Sequence, residues 1–311
     1  MNKKRGWNKL KLAVQVLIGM GMALGVAACS GSADLIPEDT PPLPKVTLLP
    51  TPTIQPALGT PVPAAVTTSL AVSTLPTPRI KDIYDGQWRL AKPGIEVMHV
   101  IGEVGERKEA LILARVNPAQ VTVQIRYAQQ SPRRVREWYL ADEADLVING
   151  GYYSPENQAL GLLISEKQSF GQSYRGFGGM FAVHGNRLSL QWLKTQPYQA
   201  DKSIDYALQC FPMLVTRGKV VEGIQDNGEQ NRRSFVALDR QGRIIFGVTQ
   251  AAQWTLTDLA RYLQRNPELN LVEALNLDGG ASTGLWVRGI DDAQSMDSFD
   301  EVPVVIEVKS V

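Results

Sequence analysis

Two cysteines and two histidines are all that this chain of 311 residues contains. That scarcity removes several kinds of chemistry. A disulfide-built scaffold needs several paired cysteines, so an exported domain of this sequence must hold together by its core. Zinc sites made from paired cysteines and histidines are not available either. The thiol of Cys210 sits in the apolar run Ala207–Phe211, where a small buried hydrophobe is its expected role. Only His99 and His184 could activate it as a nucleophile. His99 falls inside an apolar strand, and His184 at a strand end. Charge of one sign is also scarce, with 32 basic residues against 31 acidic ones. Five of the basic residues (Lys3, Lys4, Arg5, Lys9 and Lys11) crowd the first eleven positions. The remaining 27 are outnumbered by the 31 acidic residues, so there is no basic face for nucleic acid.

One apolar run stands out, Leu12 to Ala28, directly after those basic residues. It is short for a spanning helix and ends in small residues, as an export signal does. Its last four residues, Val26-Ala27-Ala28-Cys29, resemble the lipobox of bacterial lipoproteins. The resemblance implies a signal peptide over 1–28, cleavage before Cys29, and acylation there, with several acyl chains giving stable anchoring. The expected location is outside the cytoplasm, lipid-anchored to the bacterial cell membrane. Residues 29–80 are dense in proline and threonine, as in Leu49-Pro50-Thr51-Pro52-Thr53. Such composition cannot bury enough surface to fold, so a disordered tether is expected. At about 3 Å per residue it would reach well over 100 Å if fully extended.

The folded domain is expected over 81–311. Strand patterns recur: Ile95–Ile101, Ala110–Val116, the alternating Val121–Tyr127, Ala144–Ile148, Gly161–Ile164, Gly178–Val183, Leu188–Leu193, Phe211–Val215, Phe235–Leu238, Ile244–Val248 and Val302–Val308. Two helices are expected. One starts at Ser131-Pro132 and carries Val135, Trp138 and Tyr139 on one face. The other runs from Thr255 to Arg265 behind a Thr255/Asp258 capping pair, with Leu256, Leu259, Ala260 and Leu263 at helical spacing. Strands and helices do not alternate regularly enough for a doubly wound sheet. The fold class is therefore α+β, a strand-rich single domain with a mixed or antiparallel sheet and two main helices. Gly223–Gln230 is a polar loop and a candidate mobile rim.

Two stretches share one logic. Leu271–Leu277 is apolar and ends in Asp278-Gly279-Gly280-Ala281-Ser282-Thr283. Ala144–Ile148 is apolar and ends in Asn149-Gly150-Gly151-Tyr152-Tyr153. A polar residue closing a buried strand, followed by glycines that admit close backbone approach, can build a ligand site. The plainer reading of each is a β-turn, and for Asp-Gly between apolar runs a hairpin turn.

A third block lies between them, Arg233-Ser234-Phe235-Val236-Ala237-Leu238-Asp239. Together the three blocks resemble the phosphodiester glycosidase family, from about Val97 to Val308. The best-known activity of that family is removal of N-acetylglucosamine from a phosphodiester. Asn149, Arg233 and Asp278 occupy the positions of the family's motif residues. Ala281-Ser282-Thr283 and Arg233-Ser234-Phe235 depart from its usual residues, and Phe235 is expected to alter the pocket wall.

The resemblance implies hydrolysis between a sugar C1 and a phosphate oxygen. A phosphate monoester, with a second pKa of about 6, is a good leaving group. A cation on the phosphate then matters more than a strong general acid. Arg233 suits that role because guanidinium binds phosphate oxygens bidentately. Arg232 is its neighbour and competitor, on the opposite face if both lie on one strand. Asp278 would act as base or nucleophile, and Asn149 would orient sugar or water. Gly150, Gly151, Tyr152, Arg232, Gly279, Gly280, Ser282 and Thr283 would bind substrate, the glycines through their amides. Glu166 reads as a solvated turn residue. No cofactor is expected, and a calcium ion on Asp291, Asp292 and Asp297 stays open as an alternative. Two functions remain. One is a surface-tethered hydrolase of N-acetylglucosamine-1-phosphodiester-like bonds in envelope or extracellular glycopolymers. The other is a non-catalytic carbohydrate-binding or envelope-assembly lipoprotein on the same fold. Convergence of Asn149, Arg233 and Asp278 on one cleft would separate them.

Overall fold

The computed structural model describes residues 83–311. The leader, Cys29 and the tether lie outside the described residues. The chain runs through β1 (Arg89–Lys92), β2 (Ile95–Val104), β3 (Arg107–Val116), β4 (Val121–Tyr127), α1 (Val135–Ala141) and β5 (Leu146–Asn149). It continues through β6 (Leu163–Ser165), β7 (Gln168–Phe170), β8 (Gly179–His184), β9 (Arg187–Trp192), β10 (Tyr206–Cys210), β11 (Met213–Thr216) and β12 (Lys219–Val220). Then come β13 (Ser234–Asp239), β14 (Ile244–Thr249), α2 (Leu256–Arg265), β15 (Leu271–Asn276), β16 (Leu285–Val287) and β17 (Val304–Ser310). Among the described residues this is a strand-rich α+β domain with two main α-helices.

Three sheets form, with orders β1-β2-β3-β14-β13-β15-β11-β12, β7-β6-β10-β8-β9 and β16-β5-β17-β4. Neighbouring strands pair antiparallel, for example β13 with β14 and β15. Side-chain alternation on β13 shows how the layers arise. Val236 points into a core shared by all three sheets, with Ile125, Ile148, Phe181, Leu208 and Ile306. Phe235 and Ala237 point the other way, into a second core that also takes in Leu259 and Leu263 of α2. α1 covers the four-stranded sheet through Val135, Trp138 and Tyr139, against Val147, Trp286 and Val305.

The capping pair of α2 forms as its sequence implies. The Thr255 hydroxyl accepts from the Asp258 amide at 3.2 Å, and the Asp258 carboxylate accepts from the Thr255 amide at 3.2 Å. The first helix starts later than Ser131-Pro132. Arg133 is extended and bridges to Val302, and α1 begins at Val135. Its first amides are capped from a distant loop: Val135 donates to the Ser298 hydroxyl at 3.1 Å and Arg136 to Asp297 at 2.9 Å. Asp297, weighed above as a calcium ligand, thus serves as a helix cap. β10 is a strand where only an apolar run around Cys210 was expected. Cys210 is fully buried on it, and burial pushes its thiol far up, so it stays protonated.

Candidate active site

β15 and β16 belong to different sheets, so Asp278–Gly284 is not a hairpin turn. It is a crossover between two layers, with a short 3₁₀ turn at Gly280–Ser282. Asn149 ends β5, and the residues after it cross toward the same place. The start of β13 meets the end of β15 because the two strands are antiparallel, with Phe235 opposite Asn276.

Backbone bonds then lock the three blocks together. Leu277 donates to the Ser234 carbonyl at 2.8 Å, Asp278 to Gly150 at 3.0 Å, and Gly280 to Arg232 at 2.8 Å. Gly279 allows the closest approach, since a Cβ there would lie 2.8 Å from the Arg232 carbonyl oxygen. Gly280 takes φ +66°, a left-handed conformation that L side chains resist.

Asn149 is the fastener of this junction. It is fully buried. Its Nδ2 donates to the Asp278 carbonyl at 2.7 Å, while its Oδ1 accepts from the Ser234 hydroxyl at 2.7 Å and the Gly284 amide at 3.2 Å. It therefore positions Asp278 from beneath. Three of the four glycine amides expected to line the site are also committed inside the protein. Gly150 donates to the Val304 carbonyl, Gly280 to Arg232 and Gly279 to the Asp278 carboxylate.

The two arginines divide. Arg232 is drawn inward, with Nη2 donating to the carbonyls of Thr283 at 2.5 Å and Asp297 at 3.0 Å. Its guanidinium lies 4.2 Å from the Phe299 ring centre. Arg233 is anchored by its backbone to Thr249 and by one Nη2 contact to the Glu229 carbonyl at 2.6 Å. Its Nε has no protein partner. Asp226 fastens the intervening polar loop to the first turn of α2, accepting from Thr257 at 2.8 Å. Phe235 does not form a pocket wall. It is fully buried under α2 and lies so close to Gly247 that a Cβ there would meet its ring at 2.3 Å. Glu166 sits in the β6–β7 turn at φ +49° and pairs with Arg126 at 3.1 Å, as a solvated turn residue does. His99 is buried, with its ring 2.8 Å from the Gln294 carbonyl.

The Asp278 carboxyl is the titrating group at the centre. Burial pushes its pKa from 3.8 up to about 6, against the pull of Ser282 and the Gly279 amide. Around it stand side chains from loops far apart in sequence. Tyr152 donates to the Phe211 carbonyl at 3.0 Å and accepts from Asn276 at 2.9 Å. Tyr153 pairs with the Ser282 hydroxyl at 3.2 Å. Tyr174 stacks on Phe177 with ring centres 4.8 Å apart, and both meet Phe211 edge-on at 5.5 Å and 5.7 Å. Tyr174 lies close enough to feel the Asp278 charge, and burial keeps its hydroxyl protonated. Half of the buried polar side-chain atoms without a protein partner, among the described residues, fall in this one region: Tyr174 Oη, Arg232 Nε, Arg233 Nε, Asn276 Oδ1 and Thr283 Oγ1. Buried polar groups are normally satisfied, so their concentration here marks a place built to meet a polar ligand. Tyr174, Phe177, Phe211 and Phe299 carry no sequence signal, because their loops meet Asp278 only through the packing of three sheets.

The sequence model of the phosphodiester glycosidase family matches residues 142–309, more than half of the chain. The chain belongs to the phosphodiester glycosidase family. The match begins just after α1 and runs into β17, so β1 to β4 and α1 lie outside it. Among solved structures, the catalytic domain of zebrafish N-acetylglucosamine-1-phosphodiester α-N-acetylglucosaminidase, auto-inhibited by pro-peptide, superposes with a TM-score of 0.56. The alignment covers 71% of this chain and 85% of that one at 16% identity. A hypothetical protein from Synechocystis aligns with a TM-score of 0.50, over 70% of this chain and 62% of that one, at 17% identity. At such identities the likeness is one of fold. No curated protein matches the chain. In this phosphodiester glycosidase domain the fold joins the three blocks that carry Asn149, Arg233 and Asp278, through the Asn149 side chain and the backbone bonds of Leu277, Asp278 and Gly280.

Proposed function

We propose that this chain is an exported, membrane-tethered hydrolase that cleaves a sugar 1-phosphodiester bond, of the N-acetylglucosamine-1-phosphodiester type, in cell-envelope or extracellular glycopolymers. The observation that carries the reading is the junction itself. A desolvated carboxyl and an arginine whose Nε has no protein partner both lie within electrostatic reach of Tyr152, and Asn149 holds the Asp278 backbone and the hydroxyl of Ser234, the residue after Arg233.

In this reading Arg233 pairs with the phosphate oxygens, which suits its planar fork. Asp278, ionised above about pH 6, acts at C1 as nucleophile or as the base that takes a proton from attacking water. The C1–O bond breaks, its electron pair leaves with the phosphate monoester, and the sugar retains the new hydroxyl. The leaving phosphate needs little protonation, so a second carboxylate is not required. Asn149 acts through Asp278 and is a positioning residue. Export and anchoring rest on the lipobox-like Val26-Ala27-Ala28-Cys29.

The test is release of free sugar by the purified full chain from N-acetylglucosamine 1-phosphodiesters, including UDP-N-acetylglucosamine, with Asp278→Asn beside it. Release by the wild type and loss in the variant supports the hydrolase, and the anomer first formed, read by NMR, separates nucleophile from base. Absence of release across a panel of sugars overturns the hydrolase in favour of a carbohydrate-binding lipoprotein.

A further inference from the structure

The described domain has two strongly exposed phenylalanines, Phe177 at 44% and Phe299 at 68%. Each is tied through its contacts to a segment flanking Asp278, and they come from loops of two different sheets. Phe177 precedes β8. It stacks on Tyr174 at 4.8 Å and meets Phe211 at 5.7 Å, and the Phe211 carbonyl accepts from Asn276, two residues before Asp278, at 3.0 Å. Phe299 precedes β17. Its amide donates to the Ala281 carbonyl at 2.7 Å, three residues after Asp278, and its ring lies over the Arg232 guanidinium at 4.2 Å.

In each case the protein holds one face of the ring, by stacking or by a cation, and the remaining surface is open to solvent. An aromatic ring fixed in this way is pre-organised, because little side-chain freedom is left to lose on binding. Exposed apolar surface of this kind, placed beside a charged centre, marks a binding surface rather than a packing defect. A pyranose presents a face of C–H bonds that stacks on such rings, while its hydroxyls remain free for polar neighbours.

Resting on the hydrolase reading, we propose that Phe177 and Phe299 are sugar-stacking platforms on two sides of the Asp278 loop, and that the substrate is an oligomeric or polymeric sugar phosphodiester extending past the scissile bond in both directions. The specificity of the site for chain length then resides in these two residues.

The probes are a methyl phosphodiester of N-acetylglucosamine, its decyl counterpart, and a tetramer of N-acetylglucosamine joined through 1-phosphodiester links. They are given to the full chain and to Phe177→Ala, Phe299→Ala, Phe177→Tyr and Phe299→Trp. Each alanine variant is expected to lose about five- to tenfold in kcat/KM on the tetramer, mainly through KM, and no more than about twofold on the methyl diester. The Tyr and Trp variants, which keep a ring, should recover most of the loss. Equal losses on both probes, or none on the tetramer, overturn the platforms. A preference for the decyl diester that the alanine variants abolish overturns the sugar as occupant and puts an acyl chain there. If the wild type cleaves none of the probes, the hydrolase reading fails separately. Titration of the uncleaved tetramer then decides the platforms: binding weakened about fivefold by each alanine variant supports them, and no binding overturns them.

Discussion

Replacing Asp278 by asparagine should stabilise the protein while abolishing its proposed activity. Burial raises the pKa of this carboxyl from 3.8 to about 6, and each unit is worth about 1.4 kcal/mol. The folded state thus carries about 3 kcal/mol of cost for holding the ionised form. The folded pKa lies above the unfolded one, so stability linked to this group is fully present below pH 3.8 and declines until pH passes about 6. Asparagine keeps an oxygen for the Gly279 amide but brings an Nδ2 without an evident acceptor, a cost of about 1 kcal/mol. The net gain at pH 7.5 is about 2 kcal/mol, or about 4–8 °C in melting temperature for a domain of this size. Thermal unfolding of both proteins at pH 7.5 and pH 4.0 measures it. The gain should be present at pH 7.5 and gone at pH 4.0. An equal difference at both values, or a less stable variant at pH 7.5, would refute the desolvated carboxylate. In the same proteins, a loss of less than tenfold in kcat/KM would refute the catalytic role.

The two neighbouring arginines should respond differently to lysine. Arg233→Lys keeps charge but loses the bidentate fork, and should lower kcat/KM on a sugar 1-phosphodiester about 10- to 100-fold with the melting temperature held. Arg232→Lys, which breaks the donations to Thr283 and Asp297, should cost about 1–3 kcal/mol in urea unfolding; the reverse pattern would exchange their roles. Asn149→Ala strands the Asp278 carbonyl, the Ser234 hydroxyl and the Gly284 amide, and should cost about 2–4 kcal/mol by the same measurement. On β17, two residues past the strand partner of Asn149, burial and then the neighbouring Asp142 raise Glu307 from 4.5 to about 8. Its contribution is complete below pH 4.5 and is lost as pH rises through 8. The advantage of Glu307→Gln in melting temperature should therefore grow from pH 5 to pH 8 and then level off, and a flat difference would show that Glu307 is ionised throughout.

Much of this protein was already determined by its sequence. Alternation over Val121–Tyr127, helical spacing over Leu256–Leu263 and the Thr255/Asp258 pair each act within a few residues, so local pattern was enough to define those elements. The three family blocks were legible for the same reason, since each is a short run of fixed residues. What the sequence alone left open was which side of the chain each residue would use. Arg232 and Arg233 are adjacent, yet one is drawn inward to the Thr283 and Asp297 carbonyls while the other makes a single carbonyl contact, to Glu229 in the polar loop. Phe235 turned away under α2 because Ser234 faces Asn149, and residues on a strand alternate. The Asp-Gly-Gly run became a crossover because β15 and β16 pair in different sheets. Only the packing of three sheets brought Tyr174, Phe177 and Phe299 to Asp278, for contacts between loops so distant in sequence are set by how layers stack and leave no local pattern to read.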